Sequence, residues 1–379
     1  MSFVAVIFWA AVALLVYTQL GYPVVLLVMS RFVRPRATPA LLREAPTMAL
    51  IVAAHNEAEV IATKVANALA LDWPRERLEI VVCADGCTDE TVARARLAGA
   101  DQVLDLDRVG KIPALDAGVA ATSAELLVFS DANVALHPSA LRELAGAFED
   151  PNVGYACGQV QFVQAADGPG ADNQEGLYWR YEMGIRTLES RVRSVTAGNG
   201  GIHATRRDSY IVIDPRMDHD ICFPFSIVKR GQLALYVQAA RGVEKMVPSI
   251  DGEFARKRRF MSHVWTTVLA GGMLAPRGYG LRYALMILSH RVLRYAAPKL
   301  HIVAFVSNAV LLGSGSVYVV CFAAQLVLLG AAAAAGVVRL RLLLLARYYV
   351  AMNAAILLGL WDYLRRGTPL TWESPEGTR

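Results

Sequence analysis

Apolar residues gather into two kinds of pattern along this chain. Val4 to Met29 is an apolar stretch without a charge, long enough to cross a bilayer core of about 30 Å. Three more candidate spans lie in the C-terminal third, roughly Ala296–Gly313, Val317–Val338 and Leu342–Leu360. Between the ends the periodicity changes. From Arg43 to about Ile250 short apolar runs alternate with helical spacing. This predicts strands at Met48–Ala54, Glu79–Ala84, Gln102–Leu106 and Glu125–Ser130, each followed by a helix. Such a βαβα series implies an α/β domain with a parallel sheet and right-handed crossovers. Leu177 to Val192 predicts a longer helix with several aromatics. Asp220 opens another that ends near Gly231, before the strand-like Leu233–Ala239. From Glu253 to Tyr295 apolar and basic residues mix until Pro276-Arg277-Gly278 breaks the run, the pattern of amphipathic interface helices.

Composition sharpens this division. The 379 residues are 55% hydrophobic, high for one soluble domain, and the excess sits at the two ends. The first apolar stretch has no small-residue cleavage site, so it reads as a signal anchor rather than a cleaved signal peptide. Arg31, Arg34 and Arg36 follow it and, by the positive-inside rule, place the next segment in the cytoplasm. The expected organisation is an anchor at 1–31, a cytoplasmic domain at 44–252, interface helices at 253–295, about three membrane helices at 296–362, and a tail at 363–379. One span before the domain and three after it would leave Arg365 and Arg366 outside, against the charge rule, unless the last helix does not cross. The net charge of +5 is modest and gathers near the membrane, in Arg256-Lys257-Arg258-Arg259 and at Arg277, Arg282, Arg291 and Arg294. Anionic headgroups or a phosphorylated substrate suit that placement. No basic-aromatic module points to nucleic acid. The five cysteines have no metal or paired-loop spacing, so free thiols are expected.

Two aspartates carry the candidate chemistry. Asp85 and Asp131 each end a short apolar run, which puts them at the carboxyl edge of the sheet, where open α/β folds bind ligands. Asp131-Ala132-Asn133 offers two oxygen ligands two residues apart, enough to hold a divalent ion against a diphosphate. That pairing suggests a nucleotide-sugar enzyme.

Six motifs then occur in order: Ala54-His55-Asn56-Glu57, Asp85-Gly86-Cys87-Thr88-Asp89, Gly110-Lys111 with Ala114-Leu115-Asp116, Ser130-Asp131-Ala132-Asn133, Gly198-Asn199-Gly200-Gly201, and Asp218-His219-Asp220. In these the chain resembles the membrane-bound family 2 glycosyltransferases, the branch of cellulose, chitin-oligosaccharide and poly-N-acetylglucosamine synthases. The resemblance implies a GT-A fold, the Rossmann-like nucleotide-diphospho-sugar transferase domain, between N- and C-terminal transmembrane helices. It places Ala54, Asn56, Glu57 and Asp85 around the nucleotide base and ribose. Lys111 and Arg256 go to the diphosphate, and Asp131 and Asn133 to Mg²⁺ or Mn²⁺. Asp220 becomes the base, with Asp218 the competing assignment, and Gly200, Gly201 and His219 border the acceptor. Trp179, Tyr181 and Glu182 either face the acceptor or pack as core. Asn56 alone reads equally as a helix cap, and Thr88 and Asp89 read as N-capping residues.

The chain departs from the family at Cys87, where a serine is usual, at Asn133 and at His219, where acids are usual, and at Glu253-Phe254-Ala255-Arg256-Lys257. There the processive synthases carry Gln-x-x-Arg-Trp, with the tryptophan as a platform for the acceptor sugar. The implied activity is an inverting, metal-dependent transfer of a hexose or N-acetylhexosamine from a nucleoside-diphosphate sugar, UDP first, to a glycan or polyprenyl-linked acceptor. It would serve exopolysaccharide or glycoconjugate synthesis at the cytoplasmic face of the inner membrane. The alternatives are a processive synthase, whose pore would need associated chains, and a non-catalytic subunit of a polysaccharide assembly.

Overall fold

The structure, a computed structural model, describes residues 2–33, 44–163, 175–245, 250–338 and 340–370. Arg34, Arg36 and the tail from residue 371 lie outside the described residues. Helix α1 (Phe3–Val16) passes through a π-helical turn at Tyr17–Gly21 into α2 (Tyr22–Arg31). The alternating half follows as β1 (Met48–Ala54), α3 (Ile61–Leu69), β2 (Leu78–Asp85), α4 (Thr91–Leu97), β3 (Gln102–Leu106), α5 (Lys111–Ala121) and β4 (Leu126–Asp131). Next come β5 (Ala135–Leu136), α6 (Ala140–Ala147), β6 (Val153–Val163), α7 (Glu175–Val192), β7 (His203–Arg206), α8 (His219–Lys229) and β8 (Leu233–Lys245). The C-terminal part holds α9 (Ile250–Leu269), α10 (Leu281–Met286), α11 (Leu293–Val310), α12 (Ser316–Ala334) and α13 (Arg341–Arg366).

The eight strands form one sheet in the order β3-β2-β1-β4-β7-β6-β8-β5. The first four are parallel, as the alternation predicts. The sheet as a whole is mixed, which corrects the parallel expectation: β7 runs antiparallel to both β4 and β6, and β5 antiparallel to β8. Strand β7 has four residues and no apolar run, so its pattern carries no strand signal. Its reversed direction matters to the site. His203 pairs with Phe129, so the Gly198–Gly201 loop just before β7 arrives at the carboxyl edge beside Asp131.

Every residue of β1 is buried, because helices cover both faces of the parallel half. Leu50, Val52, Ile80 and Val82 pack on one side with Ile61 and Val65 of α3. Ile51, Val81 and Phe129 pack on the other with Ile112 and Leu115 of α5. Each such fully buried aliphatic side chain contributes about 1.5–3 kcal/mol.

A third cluster joins the sheet domain to the apolar helices, with Tyr22 and Leu26 of α2 against Ile185, Phe223, Val264 and Trp265. Buried ion pairs reinforce it. His290 Nδ1 lies 2.7 Å from Glu189 Oε1 and its Nε2 3.2 Å from Glu182 Oε1, while the Tyr22 hydroxyl donates to Glu189 at 2.6 Å. Removing one partner of such a network strands a buried charge, a loss of about 3–5 kcal/mol.

Among the described residues three helices are long and apolar enough to cross a membrane: Phe3–Arg31, Ser316–Ala334 and Arg341–Arg366. Their surroundings differ. Ala304 of α11 and Leu311, its C-cap, meet Ala5, Phe8 and Ala11 of α1, so α11 runs back along α1 although Arg294 and Lys299 break its apolarity. Helix α13 instead follows α9. Arg347 pairs with Asp251 at 3.1 Å, Asp362 with Arg258 at 2.5 Å, and the Thr368 hydroxyl just beyond donates to Ser262 O at 2.9 Å. The apolar face of α9 (Met261, Val264, Trp265, Val268) is buried against protein, not left open for lipid as the amphipathic pattern suggests.

Candidate active site

The site begins at the carboxyl edge of β1, β2 and β4. Asp131 ends β4, level with Ala53 of β1. Lys111, the first residue of α5, donates to Asp131 Oδ1 at 2.6 Å. Burial pulls the Lys111 ammonium down, but Asp131, with Asp218 and Asp220 beyond it, outweighs this and raises it to about 12. Burial likewise opposes charge on Asp131, yet Lys111, His203 and Lys64 together hold its carboxyl below the ordinary value.

Asp85 explains why Lys111 stands there. Its carboxylate is fully buried and accepts the N–H groups of Val109 at 2.7 Å and Gly110 at 3.0 Å, and the Arg108 guanidinium at 2.7 Å. It therefore braces the loop that presents Lys111. This differs from the base or ribose contact that the family resemblance implies for it. Gly110 closes that loop at a φ of 97°, a region open chiefly to glycine.

The first turn is also tied inward. Asn56, at a φ of 52°, accepts the Thr88 N–H at 2.8 Å, and the Cys87 thiol contacts Ala54 O at 3.5 Å. Helix α3 starts only at Ile61, so Asn56 links two turns and does not cap. Asp89 accepts the Thr91 N–H at 3.0 Å at the start of α4, in keeping with its capping role. Ala54, Asn56 and Asp85 thus form a second layer, whereas Glu57, Lys111, Asp131 and Arg256 line one cavity of about 930 Å³.

Asp220 lies in the first turn of α8 and faces the same cavity. Burial and the neighbouring Asp218 carboxylate lift its carboxyl from 3.8 to about 6, against the pull of Lys111 and Arg186. A carboxylate tuned toward neutral pH suits proton abstraction. The glycine loop is built around it. Gly198 N–H donates to Asp220 O at 2.5 Å. A Cβ on Gly198 would strike the Tyr155 hydroxyl at 1.8 Å, and one on Gly201 would strike Val160 at 2.7 Å, so packing demands those two glycines. Gly200 differs, since a Cβ there meets only the Asp220 carboxyl at 3.8 Å. That is ordinary contact, so packing does not demand glycine at this position.

His219 is placed elsewhere than the resemblance implies. Its ring is buried between Phe129, Tyr210 and Phe223 and borders a separate cavity of about 30 Å³ beneath the aspartates. Burial holds it well below the ordinary histidine value, and it does not line the large cavity. Local geometry accounts for this: Asp218 is the extended N-cap of α8 and Asp220 lies in its first turn, and both line the opening while His219 between them turns inward.

Three contributors escaped the motif pattern. Glu244 of β8 lines the cavity and accepts the Asn133 amide N–H at 3.1 Å, which leaves the Asn133 carbonyl as the oxygen nearer a cation. Lys64 is buried and donates to Ser130 Oγ and Val134 O, both at 2.6 Å. Ser130 Oγ in turn donates to Gly201 O at 2.9 Å. Lys64 thus pins the Asp131–Asn133 turn from behind. Its sequence signal was a lysine on the apolar face of α3, between Ile61 and Ala68. Arg186 of α7 is the third. Trp179, Tyr181 and Glu182, ambiguous in sequence, all line the cavity. Lys257 stands over the Phe260 ring at 5.6 Å, and Arg256 is held bidentately by Glu253, with both contacts at 2.8 Å.

The donor set suits a hard divalent ion: an Asp131 carboxylate, an Asn133 carbonyl and the Glu244 carboxylate are all oxygen ligands. Among the described residues no three His, Cys, Asp or Glu side chains gather into a metal site. The protein thus supplies only part of a coordination sphere, and a ligand's phosphate oxygens would complete it.

A lysine-paired aspartate at the sheet edge, a glycine loop and a second aspartate shifted upward thus share one cavity. Residues 49–213 match the family model Glycosyl transferase family 2. The fold is GT-A, and the matched stretch, similar to family 2, marks the chain as a glycosyltransferase. In structure it is similar to the mannosyltransferase PcManGT from Pyrobaculum calidifontis in complex with GDP-Man and Mn²⁺. That chain is 20% identical, with 95% of this chain and 99% of that one covered, at a TM-score of 0.73. Glucosyl-3-phosphoglycerate synthase from Mycobacterium tuberculosis, in complex with Mn²⁺, UDP and glucosyl-3-phosphoglycerate, is 19% identical. It covers 58% of this chain and 79% of its own, at a TM-score of 0.40. No curated protein matches the sequence.

Proposed function

We propose that the enzyme transfers a hexose or N-acetylhexosamine, with inversion, from a nucleoside-diphosphate sugar to a hydroxyl of a lipid-linked or glycan acceptor. The carrying observation is Asp220: a half-buried carboxylate raised to about 6, under Gly200, in the same cavity as the Lys111–Asp131 pair. Asp220 takes the acceptor proton as its oxygen attacks the anomeric carbon from the face opposite the nucleotide. Lys111 supplies a fixed positive charge to the diphosphate. A divalent ion, Mg²⁺ or Mn²⁺, held by Asp131 and Asn133 with Glu244 behind them, would neutralise charge on the departing diphosphate. UDP-sugars are the first donors to try, and GDP-mannose, carried by the structural neighbour, is next.

The convergence of Lys111, Asp131 and Asp220 on one cavity weighs against a non-catalytic subunit. Lys257 in place of a platform tryptophan, and few crossing helices, weigh against a processive synthase. For the membrane we propose three crossings: the helix at 3–31, α11 and α12. Helix α13 then lies along α9 at the cytoplasmic surface. Arg31, Arg341, Arg347, Arg365 and Arg366 all fall inside, in agreement with the charge rule, and the short link at 311–315 falls outside.

Purified protein in lipid, offered UDP- and GDP-sugars with Mn²⁺ or Mg²⁺ and polyprenyl-linked sugar acceptors, tests the reaction. Metal-dependent nucleotide release with a single added sugar supports it, and long products would favour the processive enzyme. Nucleotide binding without turnover on any donor would refute it. For the topology, Ser314→Cys and Arg366→Cys in a cysteine-free background are labelled with an impermeant maleimide. Labelling of position 366 from outside intact cells would overturn the arrangement.

A further inference from the structure

The large cavity continues past Asp220 toward the apolar helices, and its far wall is built from Gln19 and Leu20 of the N-terminal helix, Tyr178 and Tyr181 of α7, and Tyr348 of α13. Three arginines enter it there: Arg186, Arg291 and Arg294. Two of them are spoken for in large part. Arg294 pairs with Glu182 and lies over the Tyr178 and Tyr181 rings at 5.4 and 5.6 Å. Arg291 donates from Nε to the Thr196 hydroxyl at 2.9 Å, and its buried Nη2 makes no hydrogen bond but lies 3.8 Å from Glu182 Oε1, within ion-pair range.

Arg186 stands apart. It is only 7% exposed, and its Nε and Nη1 are buried without a hydrogen-bond partner. Among the described residues no carboxylate lies within ion-pair distance of it, although Asp220 feels its charge across the cavity, and the Trp179 ring is 5.5 Å from the guanidinium carbon. An arginine is always charged, and a buried charge without a counterion is costly to folding. Its planar fork matches the oxygens of a phosphate, and stacking on an aromatic face holds that fork in place in advance. The donor's diphosphate belongs at the other end of the cavity, with Lys111 and Asp131, so Arg186 lies on the acceptor side of the base.

We propose that Arg186 binds the phosphate of a lipid-linked acceptor. The acceptor sugar then spans from that phosphate to Asp220, and the lipid tail leaves toward Leu20, which is 67% exposed on the apolar N-terminal helix. This deepens the proposed function, because it rests on reading the cavity beyond Asp220 as the acceptor site and names what the acceptor must carry.

The test is direct binding to the full-length protein in phosphatidylcholine nanodiscs. Saturating UDP and Mn²⁺ fill the donor end, and calorimetry reads the titration of farnesyl phosphate, with farnesol and glucuronate as comparison ligands. Farnesyl phosphate should bind, farnesol should not, and Arg186→Gln should weaken binding about 10- to 100-fold, the worth of a charge-assisted fork. Arg186→Lys, which keeps the charge and loses the fork, should fall between. UDP affinity within twofold of wild type shows that each variant is folded. Wild-type protein that binds farnesol as well as farnesyl phosphate, or an Arg186→Gln variant with undiminished affinity, overturns the proposal. So does Arg186-dependent binding of glucuronate alone, which would make this a site for acidic sugars. The readout needs no turnover. A protein that binds farnesyl phosphate through Arg186 yet releases no nucleotide from any donor contradicts the transferase reading and leaves this one standing.

Discussion

Replacing Asp220 by Asn removes a charge at almost constant size, and the structure gives the change two opposite consequences. Burial and Asp218 raise the Asp220 carboxyl from 3.8 to about 6. A displacement of about two pH units equals about 3 kcal/mol against the charged form, an upper figure because water reaches the group and screens it. An unfolded aspartate ionises near 3.9. The contribution of Asp220 to stability is therefore most favourable below about pH 4 and is lost as pH rises through about 6. At about pH 8 Asp220→Asn should be the more stable protein, by about 1 kcal/mol after screening, which is a rise of a few degrees in Tm. Its activity should move the other way, with kcat lowered about 10²- to 10⁴-fold by loss of the base. The assay pairs nucleotide release with thermal unfolding in the same lipid preparation. Wild-type kcat/KM should fall about tenfold per pH unit below about 6, and the variant should lose that limb. A variant that keeps kcat within about threefold of wild type, or keeps the acid limb, would refute Asp220 as the base. A lower Tm would refute the claim that its charge is held at a cost.

Asp218→Asn removes the second cause of that shift, so the acid limb of kcat/KM should move to lower pH while the plateau changes less than about tenfold; an abolished plateau would instead make Asp218 the base. Glu244→Gln should weaken Mn²⁺ binding in the presence of nucleotide about 10- to 100-fold, as loss of a supporting carboxylate does at other metal sites, and Asn133→Asp should strengthen it, both read by Mn²⁺ paramagnetic resonance. Mn²⁺ without nucleotide should bind far more weakly to the wild type, because the protein offers only part of the coordination sphere; equal affinity with and without nucleotide would contradict that account.

Much of the fold was legible in the chain because its signals are local. Period and length place β1 to β4 to within a residue or two, since buried parallel strands must be short, apolar and bounded by turns. The acids at strand ends are equally local, so Asp85 and Asp131 could be named before any contact was known, whereas Asp220, in the first turn of a helix, could be named only through the family resemblance. What lies between strands far apart in sequence was not legible. Strand β7 carries no apolar run, and only pairing with β4 and β6 makes it a strand and brings the Gly198–Gly201 loop to the edge. Asp85 reads as a ligand from its position. In three dimensions its carboxylate is taken up by backbone 24 and 25 residues further on, an accounting of buried hydrogen bonds that one segment cannot disclose.

Glu244 meets Asn133 across 111 residues, and Arg186 is an ordinary helical arginine until folding buries it without a counterion. Hydropathy along the sequence likewise marks both α11 and α13 as candidate spans and cannot tell them apart, because it counts residues and not neighbours. The packing of α13 along α9 and of α11 along α1 is what separates a helix able to cross from one proposed to lie at the surface. Sequence by itself determined the class of domain, its main strands and the acids at their ends, all products of short-range pattern. Tertiary structure decided which of those acids face the cavity, what holds them there and where an unpaired arginine waits, because burial and pairing depend on groups that only folding brings together.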